Sequence, residues 1–432
     1  MPSDWGTTAR LLRRAGFGAT GAQIDAAAAM GAVAWLDQAL AADPGADAAQ
    51  EPPPALPAPP SPDRGATRQQ RQAQRQTQRE GVDALGRWWL RRMIRTEQPL
   101  TEKLTFGWHE HFATSAAKVR DAPLLLAQNQ RLRRQGRGRF DAMATAMLTD
   151  PALMLYLDAP RNRSGDPNEN LAREFLELFT LGHDGGYTEQ DVKEGARALT
   201  GWRIERDGTA SVVARRHDGG VKTVLGVSGR LDAAGFAQAV LRQPATATHV
   251  ATRWWNRLAC PQPVPVATLG RLRAAYGTDG DLTALVRAVL TDPAFDAAAG
   301  SLVVTPVEWV VGAARALRLP VDDATLDRLG QALRALGQVP FYPPNVSGWP
   351  AGAAWLSTAA AQRRVQVAQT LAATGDLGPL DGVGAGGRVE AVAHLLGIPH
   401  LTPRTAAALH PLSATPRELV ALALVSPEYL VN

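Results

Sequence analysis

The apolar residues of this chain recur at helical spacing through most of its length, and one short segment interrupts the pattern. They repeat every three to four residues in the first half and again from Asp232 to the C-terminus, which is the spacing of one face of an α-helix. Residues 203–226 instead carry β-branched side chains and two glycine-containing turns, at 207–208 and 218–220. This segment predicts a small hairpin or a three-stranded meander. We therefore expect a mainly α fold, a large multi-helix domain with a small β insertion around 203–226.

A segment rich in proline and alanine divides the chain near its N-terminus. Residues 1–42 are predicted to form short helices with alanine-rich faces. Residues 43–63 contain EPPPALPAPPSP, which sustains neither a helix nor a core, so we interpret them as a linker or a surface loop. Residues 64–432 are predicted to be the main helical domain, which contains the β insertion.

Charge and cysteine content narrow the class of protein. The net charge is +5, and much of the excess lies in RGATRQQRQAQRQTQRE, where no aromatic residue is available for base stacking. We interpret this run as a solvated helix face and expect no nucleic-acid partner. Cys260 is the one cysteine, which fits a reducing compartment. No apolar run reaches the roughly 18 residues that a membrane span needs, and the N-terminus does not resemble an export signal. We expect a cytoplasmic protein without membrane contact.

One predicted helix carries acidic residues beside its apolar face. NENLAREFLELFTLG is expected to be helical from Asn170 to Leu181, with Gly182 as its left-handed cap. At 100° per residue, Glu174 lies at the edge of the apolar face, and Asn170 and Glu177 share its flank. A buried carboxylate needs a cation, a metal or hydrogen-bond donors. Two hypotheses meet this need and stay open: a buried ion pair with an arginine such as Arg197 or Arg253, and a functional carboxylate pair.

The segment FGWHEHFATS adds two histidines. On a regular helix His109 and His111 are about 160° apart, so they cannot bind one metal ion together unless the helix ends between them. His111 is predicted to be the inward one of the pair. An inward histidine is more often a satisfied core group than a ligand.

Two further segments contain candidate binding residues. HDGGVKTVLG places His217 and Asp218 at a tight turn, and PPNVSGWPAGAAWLS places Asn345, Trp349 and Trp355 in an irregular loop. Long irregular loops are often binding elements. Tryptophan can stack on a sugar ring, although core packing is the more common role of each one.

Several motifs resemble, in order, the landmarks of one family. They are LLRRAGFGAT, WHEHFATS, PNENLAREFLELFTLGHDGGYTEQDVKEGARALTGW, HDGGVKTVLG, FYPPNVSGWPAG and ALALVSPEYL. Together they resemble the bacterial domain-of-unknown-function family eighteen hundred over nearly the whole chain. The resemblance implies one mainly helical domain and supplies no established activity. This chain has Glu110 where the family tends to have asparagine, and Phe179 where members often carry histidine. A metal site that used this histidine would lack a ligand here.

We expect an enzyme whose cleft lies where the predicted 101–115 helix, the 169–181 helix and the 339–356 loop meet. The favoured hypothesis is a hydrolase that acts on glycans or another polyhydroxylated substrate, with Glu174 and Glu177 as its acid/base or nucleophilic pair, since glycosidic cleavage uses two carboxylates. His111 and His217 would tune or orient them. The expected substrate-binding residues are Asn170, His217, Asp218, Asn345, Trp349 and Trp355.

Two alternatives belong to other classes. The first is a metal-dependent enzyme with a divalent transition metal, iron, manganese or zinc, as its cofactor. Its expected ligands are His109, His111, Glu174, Glu177 and His217. The second is a non-catalytic helical scaffold in which the polar motifs are buried ion pairs. GxSxG, HExxH and phosphate-loop motifs do not occur in the sequence, so the common hydrolase and nucleotide mechanisms have no motif support.

Overall fold

The computed structural model describes residues 5–45, 51–56 and 65–431, and most of them are helical. The predicted mainly α class is therefore confirmed. The helices before the β insertion are α1 Trp5–Ala15, α2 Gly21–Met30, α3 Ala32–Ala41, α4 Arg68–Arg95, α5 Pro99–His111, α6 Ala116–Val119, α7 Ala122–Gln135, α8 Phe140–Leu148, α9 Pro151–Tyr156, α10 Asn170–Glu174 with a π-helix Phe175–Thr180, and α11 Glu189–Ala198. After the insertion follow α12 Ala233–Leu241, α13 Pro244–Leu258, α14 Val266–Tyr276, α15 Leu282–Thr291, α16 Pro293–Ala297, α17 Pro306–Ala316, α18 Asp323–Leu336, α19 Thr358–Thr374, α20 Arg388–Leu395, α21 Pro403–Leu409, α22 Pro416–Leu424 and α23 Pro427–Leu430.

The β insertion consists of two separate antiparallel hairpins. Strand β1 (Trp202–Ile204) pairs with β2 (Ala210–Val212), and β3 (Lys222–Val224) pairs with β4 (Val227–Gly229). The first hairpin reverses near Gly208, which has a positive φ, as its Asp-Gly turn predicts. The second reverses at 225–226 and not at 218–220, because the latter segment is a loop that precedes β3. The insertion therefore extends to Gly229.

Buried apolar side chains form two clusters, and helix α5 is among the helices that contribute to both. The first cluster contains side chains from α1–α3 and most helices between α8 and α15. The second contains side chains from α4, α17–α20 and α22. Every residue of α5 from Leu100 to His109 is buried. This helix contributes Leu104 and Trp108 to the first cluster and Phe106 to the second.

Part of the predicted 43–63 loop is fixed to α4. Glu51 is buried, its carboxylate lies 3.4 Å from the guanidinium groups of Arg91 and Arg95, and its carbonyl accepts the Trp88 indole N–H at 3.1 Å. Residues 46–50 and 57–64 of this predicted loop lie outside the described residues.

Within the described ranges, no helix combines the length and the apolar character that a membrane crossing requires.

Candidate functional site

The helix that carries the acidic pair changes type halfway. It is α-helical over Asn170–Glu174 and π-helical over Phe175–Thr180. The Leu181 N–H donates to the Leu176 carbonyl five residues earlier at 2.8 Å, and the Thr180 hydroxyl donates to the Phe175 carbonyl at 2.5 Å. The predicted cap at Gly182 is confirmed by its φ of 80°. The assumed 100° per residue fails in the second half, since a π-helix has a wider turn. Such turns are frequent at functional sites.

Glu174 lies half-buried on this helix. Its carboxylate has no hydrogen bond or ion pair with any residue that the structure describes. The expected pairing with Arg197 or Arg253 is wrong, because Arg197 binds Glu194 and Asp218, and Arg253 lies elsewhere, in a cavity. Burial, followed by the negative charge of Glu177, raises the pKa of Glu174. This environment favours the protonated carboxyl group.

Glu177 has one hydrogen-bond donor, Tyr187, and a histidine ring nearby. The Tyr187 hydroxyl donates to its Oε2 at 3.1 Å, and His183 Nδ1 lies 2.9 Å from its Oε1. Burial and the nearby Glu177 carboxylate raise the pKa of Tyr187 to about 12, so this hydroxyl keeps its proton at neutral pH. The two acids, one helical turn apart, therefore have different surroundings: Glu174 has no hydrogen-bond donor among the described residues, whereas Glu177 has the Tyr187 hydroxyl and the nearby His183 ring.

Two histidines, the buried His111 and the partly buried His249, cap the end of the π-helix. His249 Nε2 lies 2.9 Å from the Leu178 carbonyl, and His111 Nε2 lies 2.9 Å from the Phe179 carbonyl. The last carbonyls of a helix lack partners within it, and a carbonyl only accepts, so each Nε2 carries a proton. Burial lowers the pKa of His249 to about 4 and that of His111 well below its ordinary value. Both rings are neutral at pH 7.

His109 occupies different surroundings from His111. Its Nε2 accepts the Phe341 N–H at 3.1 Å, and burial lowers its pKa to about 3. His111 is inward as expected, but His109 is inward as well, since α5 is buried on every side. Among residues 5–45, 51–56 and 65–431, no three histidine, cysteine, aspartate or glutamate side chains are arranged to share a metal ion. The five expected ligands do not converge.

The remaining expected binding residues have local partners. His217 Nδ1 lies 2.9 Å from the Thr200 carbonyl, and the Asp218 carboxylate binds Arg197, whose hydrogen bond lowers the pKa of Asp218 to about 2.

The Asn345 side chain serves local backbone structure, whereas the Asn170 side chain is exposed and the contact at that position is made by its backbone N–H. Asn345 Oδ1 accepts the Ser347 N–H at 2.9 Å, and the Asn170 N–H donates to Asn168 Oδ1 at 3.1 Å at the helix start. None of these four residues has a hydrogen bond to either glutamate of the acidic pair.

A cavity of about 220 Å³ lies beside α5. Gly107, Glu110 and His111 line it from α5, and the 349–352 segment lines it with Trp349. The predicted 101–115 helix and the 339–356 loop therefore meet, as expected. The helix at 169–181 supplies no lining residue, and α13 takes its place with Arg253, Trp254, Asn256 and Arg257. Trp355 does not line the cavity and is buried.

Ion pairs missed at the sequence level surround this cavity. Arg257 pairs with Glu110, and Lys103 with Glu308. Burial lowers the pKa of Arg257 to about 10. Burial alone would raise the pKa of Glu308. The positive charges of Lys103 and Arg257 and a backbone N–H hydrogen bond outweigh burial, so the pKa of Glu308 is lowered. The partners are far apart in sequence, so helical periodicity does not indicate them.

Comparison with known proteins identifies a family and no characterised relative. No curated protein and no solved structure matches the chain. The model of a family described as a protein of unknown function (DUF1800) matches residues 10–431, which is nearly the whole sequence. This match agrees with the order of motifs from the N-terminal LLRRAGFGAT to the closing ALALVSPEYL. The chain therefore belongs to the DUF1800 family.

Proposed function

We propose that this protein is a hydrolase of glycans or of another polyhydroxylated substrate, with Glu174 as proton donor and Glu177 as the ionised partner. One observation carries the proposal. Glu174 is half-buried, forms no ion pair with a described residue and has a raised pKa, while the adjacent Glu177 accepts a hydrogen bond from Tyr187 and lies 2.9 Å from His183 Nδ1. An acid/base pair needs one carboxyl group that keeps its proton and one that loses it, and different surroundings achieve this.

The chemistry assigned to these residues is the addition of water across a glycosidic bond. Glu174 donates its proton to the leaving-group oxygen as the carbon–oxygen bond breaks. Glu177 either removes a proton from the attacking water, or attacks the sugar carbon to form a glycosyl ester, which water deprotonated by Glu174 then hydrolyses to free Glu177. The Tyr187 hydroxyl and the His183 ring hold the Glu177 carboxylate in one orientation.

The single cysteine supports a cytoplasmic location, which cell fractionation tests.

The test is the release of reducing ends from a panel of soluble polysaccharides and aryl glycosides. Glu174→Gln and Glu177→Gln should each reduce the rate by about 10²–10⁴-fold, the usual contribution of a general acid or base. The matched control is Glu169→Gln, an acid of the same segment that pairs with Arg173, and it should stay active. The wild-type rate should fall as pH rises through the raised pKa of Glu174, because the donor then loses its proton. Equal rates in all three variants, or cleavage of no member of the panel, would overturn the proposal.

The Glu174→Gln variant also distinguishes a catalytic role of Glu174 from a structural role in a non-catalytic scaffold. If Glu174 were half of a structural ion pair, its substitution would destabilise the fold. Because it has no partner among the described residues, Glu174→Gln should change the free energy of unfolding by no more than about 0.5 kcal/mol, or raise it. Urea denaturation measures this, and a loss of several kcal/mol favours the scaffold.

A further inference from the structure

The cavity beside α5 lies between the two core clusters. Trp254 on its wall belongs to the first cluster, and Trp349 and Val303 belong to the second. The lining residues Pro261, Pro350 and Ala351 are exposed and mark the side that opens to solvent. A volume of about 220 Å³ holds on the order of ten water molecules or one small organic ligand.

The charges around this cavity do not cancel. Glu110 is neutralised by Arg257, and Glu308 by Lys103. His111 adds no charge at neutral pH, since burial keeps its ring neutral. Arg253 is left over. Its guanidinium has no hydrogen bond or ion pair with any residue in the described ranges, and the side chain reaches solvent within the cavity.

Arg253 is placed to bind an anion. Its side chain is exposed to the solvent that the cavity admits, desolvation by the neighbouring protein lowers its pKa, and a guanidinium stays charged at neutral pH. A cation that has lost part of its hydration and gained no protein partner is stabilised by a ligand carboxylate, which it can bind through two parallel hydrogen bonds.

We propose that this cavity binds a small organic monocarboxylate, whose carboxylate pairs with Arg253 and whose apolar body lies against Trp254 and Trp349. One uncompensated positive charge matches one negative charge, which favours a carboxylate over a dianionic phosphate. The two indoles supply an apolar wall of the kind that ligand pockets usually have. His111 Nδ1 has no hydrogen-bond partner among the described residues, so it can accept a ligand hydroxyl. This binding goes beyond the proposed hydrolysis, because neither Glu174 nor Glu177 lines the cavity.

Isothermal titration calorimetry with three probes of similar shape tests the proposal. Benzoate carries one negative charge, benzamide none, and phenyl phosphate close to two. Benzoate should bind the full-length protein saturably, and at least 10-fold more tightly than either of the others. Equal binding of benzamide would show that charge plays no part, tighter binding of phenyl phosphate would point to a phosphate site, and no saturable benzoate binding at millimolar concentration would mean that no such site exists. Each of these results overturns the proposal.

Two arginine variants assign the binding to this cavity. Arg253→Gln should weaken benzoate binding at least 10-fold without lowering the melting temperature, because Arg253 has no partner to lose. The matched control Arg242→Gln removes the same charge from an exposed position at the end of α12 and should bind benzoate as the wild type does. Unchanged affinity in Arg253→Gln overturns the assignment. Glu174→Gln should bind benzoate normally, so this proposal and the hydrolase proposal can fail separately.

Discussion

At the scale of single residues, the described part of the chain treats its buried charges in two ways. Glu102 is fully buried, and its two oxygens accept hydrogen bonds from Arg92 at 2.5 Å, from Arg133 at 2.7 and 2.9 Å, and from the Trp89 indole at 2.9 Å. Glu174 is only half-buried and has no such donor. Loss of the partners of a fully compensated buried charge destabilises the fold, whereas a buried group without compensation costs stability and is available for chemistry. This contrast supports a functional role for Glu174 and a structural role for Glu102.

Substitution of Glu102 should therefore destabilise the protein strongly. Glu102→Gln keeps the shape of the side chain but leaves two buried guanidinium groups without a counter-charge, so we expect a loss of about 3–5 kcal/mol of unfolding free energy in urea denaturation. The control Glu205→Gln, at a partly exposed site paired with Arg203, should change it by less than about 0.5 kcal/mol.

The pH dependence of this effect has a definite sign. Burial would raise the pKa of Glu102, but Arg133 and Arg92 lower it to about 2. A depressed carboxyl pKa contributes stability that is present above the unfolded value of 4.5 and is lost as pH falls toward 2. The gap between wild type and Glu102→Gln should narrow over this range by about 3 kcal/mol. A gap that is constant with pH would contradict the assigned role.

The residue scale is also where prediction from sequence is weakest. His111 and Trp349 were expected at the cleft and do line the cavity. Glu102 and Lys103 were not predicted as buried charges, because helical periodicity assigns one apolar face to α5 and cannot show that other helices surround it. The partner of Lys103 is 205 positions away. Such a pair depends on tertiary packing, for which one sequence carries no local signal.

At the scale of elements, local sequence signals predict where a helix or hairpin begins and ends better than they predict its internal geometry. The limits of the helix at 170–181, its glycine cap and the Asp-Gly hairpin all follow from nearby residues. The π-helical half does not, since its last carbonyls are capped by His249 and His111, which belong to distant helices. The second hairpin also differs from prediction. Asp218 binds Arg197 of α11, so the glycines that follow serve a loop instead of a turn between strands.

Two glycines after the π-helix separate backbone strain from close packing. Gly182 and Gly186 have φ of 80° and 79°, so alanine at either position carries a left-handed penalty of about 1–2 kcal/mol. A Cβ at Gly182 would also lie 2.9 Å from His249 Nδ1, whereas a Cβ at Gly186 meets nothing within 4 Å. Gly182→Ala should therefore destabilise the protein by a further ~1–3 kcal/mol relative to Gly186→Ala, because it displaces the histidine cap. Equal losses of stability in the two variants, measured by thermal denaturation, would show that His249 can move away from Gly182 without an energetic cost.

At the scale of the whole molecule, the two apolar clusters are joined through α5 and by ion pairs across their boundary. Lys103 of α5 binds Glu308 of α17, and Glu110 binds Arg257 of α13. The mainly helical class follows from periodicity along the sequence. The division into two clusters does not, since it depends on which apolar faces meet in space. Ligand sites often occur at such boundaries, which is where the Arg253 cavity lies.

A shared central helix predicts that the two clusters unfold together. Native-state hydrogen exchange should give the slowest amides of α15, in the first cluster, and of α22, in the second, the same opening free energy within about 1 kcal/mol, because either cluster loses packing when α5 leaves. Phe106→Ala removes a fully buried ring of α5 and should lower both values together by about 3–5 kcal/mol. The control Val266→Ala, at a side chain that is 89% exposed, should leave both unchanged. If Phe106→Ala lowered the opening free energy of α22 alone, the clusters would be separate cooperative units, and the cavity between them would lie on a boundary that can open without global unfolding.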